Sequence, residues 1–358
     1  MDGDEVISSH LMRRVAGVIF AIVIAGCGNG AAVRQTPATP PSDSVLPVPI
    51  DGQRPLFFYA SDVSQIERDR LEETVDAAVD HWGNYAPLEV WTTGYQTKPI
   101  FNLVFEYCTR RGELNQLDKF VCLDRFQNHP FEDFRRETAL AVTSGMPSMQ
   151  GELTPITELG FRQITLSEPM GFRPDLPDKA GLAQEVVFHE YFHVVQDAYS
   201  FKNPELAVTN DYMNMRFGEP WFFEGSAEFM ALREVSNLRN GGELPLYDGA
   251  INDLNYFELM RKKLDHAKLI LSTRKKMSLK QSKQLGVLSV YEIGTWAVAY
   301  LVNKTNPEIL LQTFYPNLER MTWDEAFNET FGMSVSDFYS EFAQFIKLPT
   351  DEQMAILE

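Results

Sequence analysis

Residues 182–199 read LAQEVVFHEYFHVVQDAY. The apolar residues of this stretch recur every three or four positions, which predicts an amphipathic helix. His189 and His193 stand four residues apart, so both project from one side of that helix, one turn from each other. Two imidazoles at this spacing can bind one zinc ion. The alternative is a helix with two partly buried histidines that bind no metal.

Glu190 directly follows the first of these histidines. A carboxylate at this position lies beside a metal ion that the two histidines hold. It can take a proton from a zinc-bound water and deliver that proton to a departing amine. The sequence therefore predicts hydrolysis, with Glu190 as general base and then general acid.

A second amphipathic segment, WFFEGSAEF at residues 221–229, places two carboxylates in an otherwise apolar helix. Buried acids need partners. A catalytic zinc usually takes three protein ligands and keeps a fourth position for water, so Glu224 is the predicted third ligand. Glu228 lies one turn further on and is predicted to accept the other ring N–H of a ligating histidine. The alternative for either acid is an ordinary salt bridge.

Together these motifs resemble the gluzincins, which are zinc peptidases with an HExxH helix and a glutamate ligand on a later helix. The resemblance covers about residues 180–347, and the segment around Glu224 is similar to that of bacterial collagenase catalytic domains. It implies that His189, His193 and Glu224 bind one zinc ion. It also implies that Glu190 is the catalytic base.

The segment Tyr291-Glu-Ile-Gly294 is similar to the Tyr-Glu-x-Gly of the aminopeptidase branch. This similarity implies that the Tyr291 hydroxyl stabilises the oxyanion, whereas the alternative is a tyrosine that only packs in the core. Glu224 follows His193 by 31 residues, a longer step than in the aminopeptidases. The chain also has no Gly-x-Met-Glu-Asn strand, so an endopeptidase is favoured over an aminopeptidase.

The N-terminus has the pattern of an export signal. Two arginines precede an apolar run at residues 15–26, which is too short to span a bilayer. The run ends at Ile24-Ala-Gly-Cys27, which resembles a bacterial lipobox and implies that Cys27 carries lipid. Residues 1–26 are then a lipoprotein signal peptide, with Met12 as a candidate start. The alternatives are a plain signal peptide or a membrane anchor with an incidental cysteine.

Residues 27–53 are rich in Pro, Gly, Ser and Thr, a composition typical of an extended tether. A lipid on Cys27 implies a bacterial envelope protein that contacts the membrane through its anchor alone. Gly28 favours sorting to the outer membrane, facing the periplasm or the cell surface. In such an oxidising compartment, Cys108 and Cys122 either form a disulfide or remain two buried thiols.

The composition limits the classes of partner. The 358 residues include 50 acidic and 32 basic side chains, for a net charge of −18. Such a chain has no basic surplus for nucleic acid, which is therefore not expected as a partner. The expected partner is a peptide or protein substrate. A non-catalytic envelope lipoprotein, with a peptidase-like fold used as a binding or assembly module, is the alternative, but it has no chemical need for Glu190.

The predicted fold class is α+β, with a sheet-containing half at 54–179 and a zinc-binding helical half at 180–358. Asp62 is predicted to cap a helix that ends near Trp82. The alternation of apolar and polar residues predicts strands at Leu56–Tyr59, Leu88–Trp91, Phe101–Tyr107 and Phe161–Leu166. Helical spacing predicts helices at Leu182–Tyr199, Trp221–Val235, Leu254–Leu264, Val290–Val302, Trp323–Phe331 and Val335–Phe345.

Overall fold

The fold was analysed in a computed structural model. It describes residues 54–125, 150–154, 161–167, 172, 180–200, 217–247, 255–273, 279–281 and 287–357. The predicted signal peptide at 1–26, the tether at 27–53 and the lipidation site Cys27 lie outside these residues. Among the residues that the structure describes, no helix is both long and apolar enough to cross a membrane.

A small mixed sheet forms the N-terminal part. Its strands are β1 (Leu56–Tyr59), β2 (Leu88–Thr93), β3 (Gln150–Thr154) and β4 (Arg162–Ser167). They lie in the order β1-β2-β4-β3, and the first three in this order are parallel. The strand β3 pairs with β4 in the antiparallel sense and lies at the edge. Three of the four predicted strands are confirmed, and β3 was not predicted.

Helices make up most of the described chain, so the α+β class expected from the sequence agrees with the structure. The helices of the N-terminal part are α1 (Gln65–Trp82), α2 (Thr97–Glu113) and α3 (Lys119–Arg125). The long helices that follow are α4 (Ala180–Ser200), α5 (Pro220–Gly241), α6 (Tyr256–Thr273) and α7 (Val287–Asn303). A π-helical turn (Leu310–Phe314) leads into α8 (Tyr315–Asn317), α9 (Trp323–Phe331), α10 (Val335–Phe345) and α11 (Thr350–Met354). Short 3-10 turns lie at Leu279–Gln281 and Ala355–Leu357.

The strand predicted at Phe101–Tyr107 is wrong, because this segment lies inside α2. The alternation that suggested a strand includes Phe101 and Phe105, which are 60% and 53% exposed and contribute little to the core. The side chains that are buried instead follow helical spacing. They are Ile100, Leu103, Val104, Tyr107 and Cys108.

The predicted cap of α1 is also wrong. Ser64 is the N-cap, and together with Glu67 it forms a capping box that satisfies two backbone N–H groups. Asp62 instead accepts the backbone N–H groups of Tyr95 and Gln96, both at 2.7 Å, at the start of α2. Asp62 therefore links the turn after β1 to the start of α2.

The sheet separates two cores, because neighbouring residues of a strand point to opposite faces. Val90 of β2 belongs to the main core, which continues through α1, α4, α5 and α7. Trp91 belongs to a smaller core with residues of α2 and α3. Within the described chain the main core joins the sheet to the C-terminal helices without a break near residue 180.

Cys108 of α2 and Cys122 of α3 form a disulfide in this smaller core, with their Cα atoms 5.5 Å apart. Both side chains are fully buried. Of the two alternatives left open by the sequence, the structure has the disulfide. It lies on the face of the sheet opposite α4.

Replacing Cys108 and Cys122 together by alanine should lower the free energy of unfolding by about 3 kcal/mol, since the bond restricts a loop of roughly 15 residues in the unfolded chain. Denaturant unfolding of the variant and of wild type measures this difference. The metal content should not change, because the disulfide lies across the sheet from α4. Two freely alkylated thiols in unreduced, exported protein would contradict the bond.

Candidate metal centre

The helix α4 places two imidazoles side by side in the protein interior. The Nε2 atoms of His189 and His193 are 3.1 Å apart, and their rings are nearly perpendicular. The two residues are only 5% and 4% exposed. One turn of helix therefore brings two imidazole nitrogens to one point, as the sequence predicted.

Glu224 of α5 completes a group of three donors. Its Oε2 atom lies 3.3 Å from the Nε2 atom of His189 and 3.3 Å from that of His193. Ligand atoms on a tetrahedral zinc ion, bound at about 2.0–2.1 Å, are separated by roughly 3.3 Å. Glu224 Oε2 is also buried and receives no directed hydrogen bond within the described part of the chain. His189, His193 and Glu224 could therefore hold one metal ion.

The second nitrogen of each imidazole is held by a polar side chain. His189 Nδ1 lies 3.0 Å from Glu228 Oε2, and His193 Nδ1 lies 2.6 Å from Gln196 Oε1. Because both partners are oxygens, each Nδ1 can donate its N–H to them, which leaves Nε2 as the nitrogen that can bind a metal ion. The structure thus places Glu228 at the Nδ1 atom of His189, and the orienting role predicted from the sequence stays a prediction.

Gln196 was missed by the sequence argument. Its amide nitrogen donates to the Phe223 carbonyl at 3.0 Å, to Ser226 Oγ at 2.9 Å and to the Tyr315 hydroxyl at 3.0 Å. These contacts fix which end of the amide faces His193. The sequence feature that could have indicated Gln196 is an amide side chain three residues after His193, a spacing that places both on the same face of the helix.

The electrostatics of the group favour a bound cation. Burial alone would raise the pKa of Glu224, but His193 and His189 hold it well below its ordinary value. Burial would lower the pKa of His189, yet the neighbouring carboxylates of Glu224 and Glu228 raise it to about 10. A proton is thus strongly attracted to this point in the metal-free protein. A divalent metal ion bound between these side chains would neutralise the same carboxylate charge.

Glu190 lies on α4 between the two histidines and is 3% exposed. Burial raises its pKa, while the histidines act in the opposite direction. Gly151 of β3 lies directly against it, since a Cβ atom at residue 151 would come within 2.2 Å of Glu190 Cγ. The edge strand can approach this carboxylate only because residue 151 has no side chain.

A cavity of about 30 Å³ opens between α4, α5 and α7. This volume is enough for a water molecule. The candidate ligand His189, together with Glu190 and Tyr291, lines it. Glu185 and Glu228 also lie in its wall, and Glu185 was not predicted from the sequence.

Tyr291 belongs to the site, as its sequence motif predicted. It is 7% exposed, and its ring centroid is 5.7 Å from that of His189. Burial raises the pKa of Tyr291 well above its ordinary value, and Glu224, Glu190 and Glu228 raise it further. The hydroxyl therefore keeps its proton and can act as a hydrogen-bond donor.

The position of Tyr291 depends on a contact between two glycines. A Cβ atom at Gly225 of α5 would lie 2.4 Å from the Gly294 carbonyl carbon, and one at Gly294 would lie 2.3 Å from the Trp221 carbonyl oxygen. The backbones of α5 and α7 thus touch. Glu224 directly precedes Gly225, and Tyr291 lies one turn before Gly294, so this contact sets the spacing between Glu224 and Tyr291.

Comparison with known proteins gave no match: no family model matches the sequence, and no curated protein and no solved structure matches the chain. The function proposed for this chain therefore rests on the geometry of its own site and on its sequence.

We expect one metal ion per chain, and the ion should be lost or bound far more weakly in His189→Ala, His193→Ala and Glu224→Ala. Each change removes one of three converging donors. Elemental analysis of dialysed protein measures the stoichiometry and identifies the metal. Two histidines and one carboxylate can also bind iron(II), so finding iron in place of zinc would change the assigned metal. Full metal content in Glu224→Ala would show that the third ligand is wrongly assigned.

Proposed function

We propose that this protein is a zinc-dependent peptidase of the gluzincin type, with endopeptidase activity. The observation that carries the proposal is the cavity lined by the buried carboxylate of Glu190, by His189 of the candidate metal-binding group and by Tyr291. A base, a metal site and a hydrogen-bond donor around a space for water are the parts that hydrolysis of a peptide bond requires.

The residues present fit a catalytic zinc. Two imidazole nitrogens and one carboxylate oxygen converge, and three protein ligands leave one coordination position open. When bound, zinc polarises the peptide carbonyl and lowers the pKa of its water to about 7. Gln196 and Glu228 keep both histidines in the tautomer that can bind it.

Glu190 is the general base of the proposed reaction. Burial raises the pKa of Glu190 toward neutral pH. A carboxylate whose pKa lies nearer to neutral pH can both accept a proton and release it again. Glu190 takes one proton from the attacking water and transfers it to the nitrogen of the departing amine. Gly151 packs against this side chain and limits where it can turn.

Tyr291 stabilises the oxygen on which negative charge develops. Its hydroxyl keeps its proton because of burial and the surrounding carboxylates. A protonated hydroxyl inside a buried cavity can donate a hydrogen bond to an oxyanion, and such a bond is strong where water is excluded.

The edge strand β3 supports an extended peptide as substrate. Within the described chain it pairs only with β4, and it passes directly over Glu190. An extended peptide can add to a free strand edge through its backbone groups. The endopeptidase assignment rests on the sequence, which has no aminopeptidase-type Gly-x-Met-Glu-Asn strand.

The cellular setting is part of the proposal and rests on the sequence alone. We place the protein in a bacterial envelope, anchored through lipid on Cys27, with the tether at 27–53 leading to the folded part. A disulfide between Cys108 and Cys122 is consistent with an oxidising compartment. The expected partner is a peptide or protein substrate, and nucleic acid is not expected.

Glu190→Gln should abolish cleavage while leaving the metal content unchanged. The amide has the shape of the carboxylate but cannot accept the proton, so turnover should fall by about 10²–10⁴. Mass spectrometry of an unbiased peptide mixture, incubated with mature protein, measures cleavage. Glu329→Gln makes the same change on the exposed side of α9 and is the control. A zinc-loaded wild type that cleaves nothing would instead favour a binding module.

Tyr291→Phe should lower kcat by about 10²–10³ and leave KM and zinc content nearly unchanged, because it removes a bond that forms mainly in the transition state. Steady-state kinetics on a peptide identified in the mixture provide the measurement. Tyr300→Phe alters another tyrosine of α7 and should keep wild-type activity. A near wild-type rate in Tyr291→Phe would mean that the tyrosine only packs in the core.

A further inference from the structure

The helix α6 brings a lysine to the outer side of the metal-binding group. Lys263 Nζ lies 2.7 Å from Glu228 Oε1, while the other oxygen of the same carboxylate lies 3.0 Å from His189 Nδ1. Glu228 is therefore held at both oxygens, by an ammonium on one side and by an imidazole on the other. Its orientation toward the histidine depends on both.

The same lysine reaches the helix that carries Tyr291. Lys263 Nζ is 3.7 Å from Glu292 Oε2, and Glu292 directly follows Tyr291 in α7. The side chains of Lys263 and Glu292 are only 15% and 13% exposed. A series of charged contacts thus runs from His189 through Glu228 and Lys263 to Glu292, and it links α4, α5, α6 and α7.

The lysine is charged in this position. Burial alone would lower the pKa of Lys263, but Glu228 and Glu292 hold it above its ordinary value. The Oε2 atom of Glu228 can accept the N–H of His189 Nδ1. His266, which is 45% exposed, lies further out, at 3.8 Å from Glu292.

We propose that Lys263 is a positioning residue of the metal centre. Through Glu228 it fixes the imidazole of His189 so that Nε2 faces the metal, and through Glu292 it joins that ligand to the helix of Tyr291. This inference rests on the metal site of the proposed function, but it does not depend on peptide cleavage.

A purely structural ion pair would behave differently. Removing one partner of a purely structural ion pair would lower the stability of the metal-free protein, whereas loss of a group that orients a metal ligand typically lowers metal affinity by about 10–100-fold. Stability of the metal-free protein and affinity for zinc therefore separate the two roles. Lys262, the neighbouring lysine, is exposed and serves as a matched control.

The test is a titration of the mature protein with zinc in competition with a chelator, together with thermal unfolding of the metal-free form. Lys263→Met and Lys263→Gln should raise the Kd for zinc by about 10–100-fold. Lys263→Arg, which keeps the charge, should recover most of the affinity. Lys262→Met should match wild type.

A double variant tests whether Lys263 acts through its neighbour. Glu228→Gln should itself weaken zinc binding, and adding Lys263→Met should then have little further effect, because the oriented carboxylate is already gone. Additive losses would overturn the proposal. So would an unchanged Kd in Lys263→Met and Lys263→Gln, whatever their unfolding midpoints.

The two proposals fail in distinguishable ways. If wild type binds zinc but cleaves no peptide, the peptidase assignment falls, and the zinc affinities still decide the role of Lys263. If wild type binds no zinc, both the proposed function and the role of Lys263 are overturned.

Discussion

The contact between the backbones of Gly225 and Gly294 is the constraint on which the site depends. Any side chain at either position would enter the space of the facing helix. Glu224 and Tyr291 lie within one turn of these glycines, one on each helix. The spacing between the candidate metal ligand Glu224 and the proposed hydrogen-bond donor Tyr291 is thus set by two glycines without side chains. This explains physically why each motif contains a glycine.

Buried charge is the second organising feature of the site. Glu190, Glu224 and Glu228 lie in an interior where an unpaired carboxylate is costly. Lys263 offsets part of this charge, and a divalent ion at the three-donor group would offset more. An ion that binds only the folded state also stabilises it. The side chains proposed to act in catalysis would therefore also hold the helices together when a metal ion is bound.

The sequence predicted the fold well where the pattern of burial was local. Helices with a continuous apolar face were found at or near their predicted positions, α9 and α10 at the same residues. The strand predicted at 101–107 is wrong, because exposed phenylalanines in this helix produce the alternating pattern of a strand. The edge strand at 150–154 could not be predicted either. It has no apolar alternation, and its place is set by pairing with β4 and by the approach of Gly151 to Glu190.

For the site, the sequence alone determined that residues 189–193 present two imidazoles and a carboxylate on one helix, because helical geometry fixes that spacing. It also indicated Glu224 and Glu228 as the acids that join them. Only the tertiary structure decided that the first faces both Nε2 atoms while the second faces Nδ1. It likewise brought in Gln196 and Lys263, which no motif marks. Contacts between helices depend on how the whole core packs, and no single segment encodes that packing.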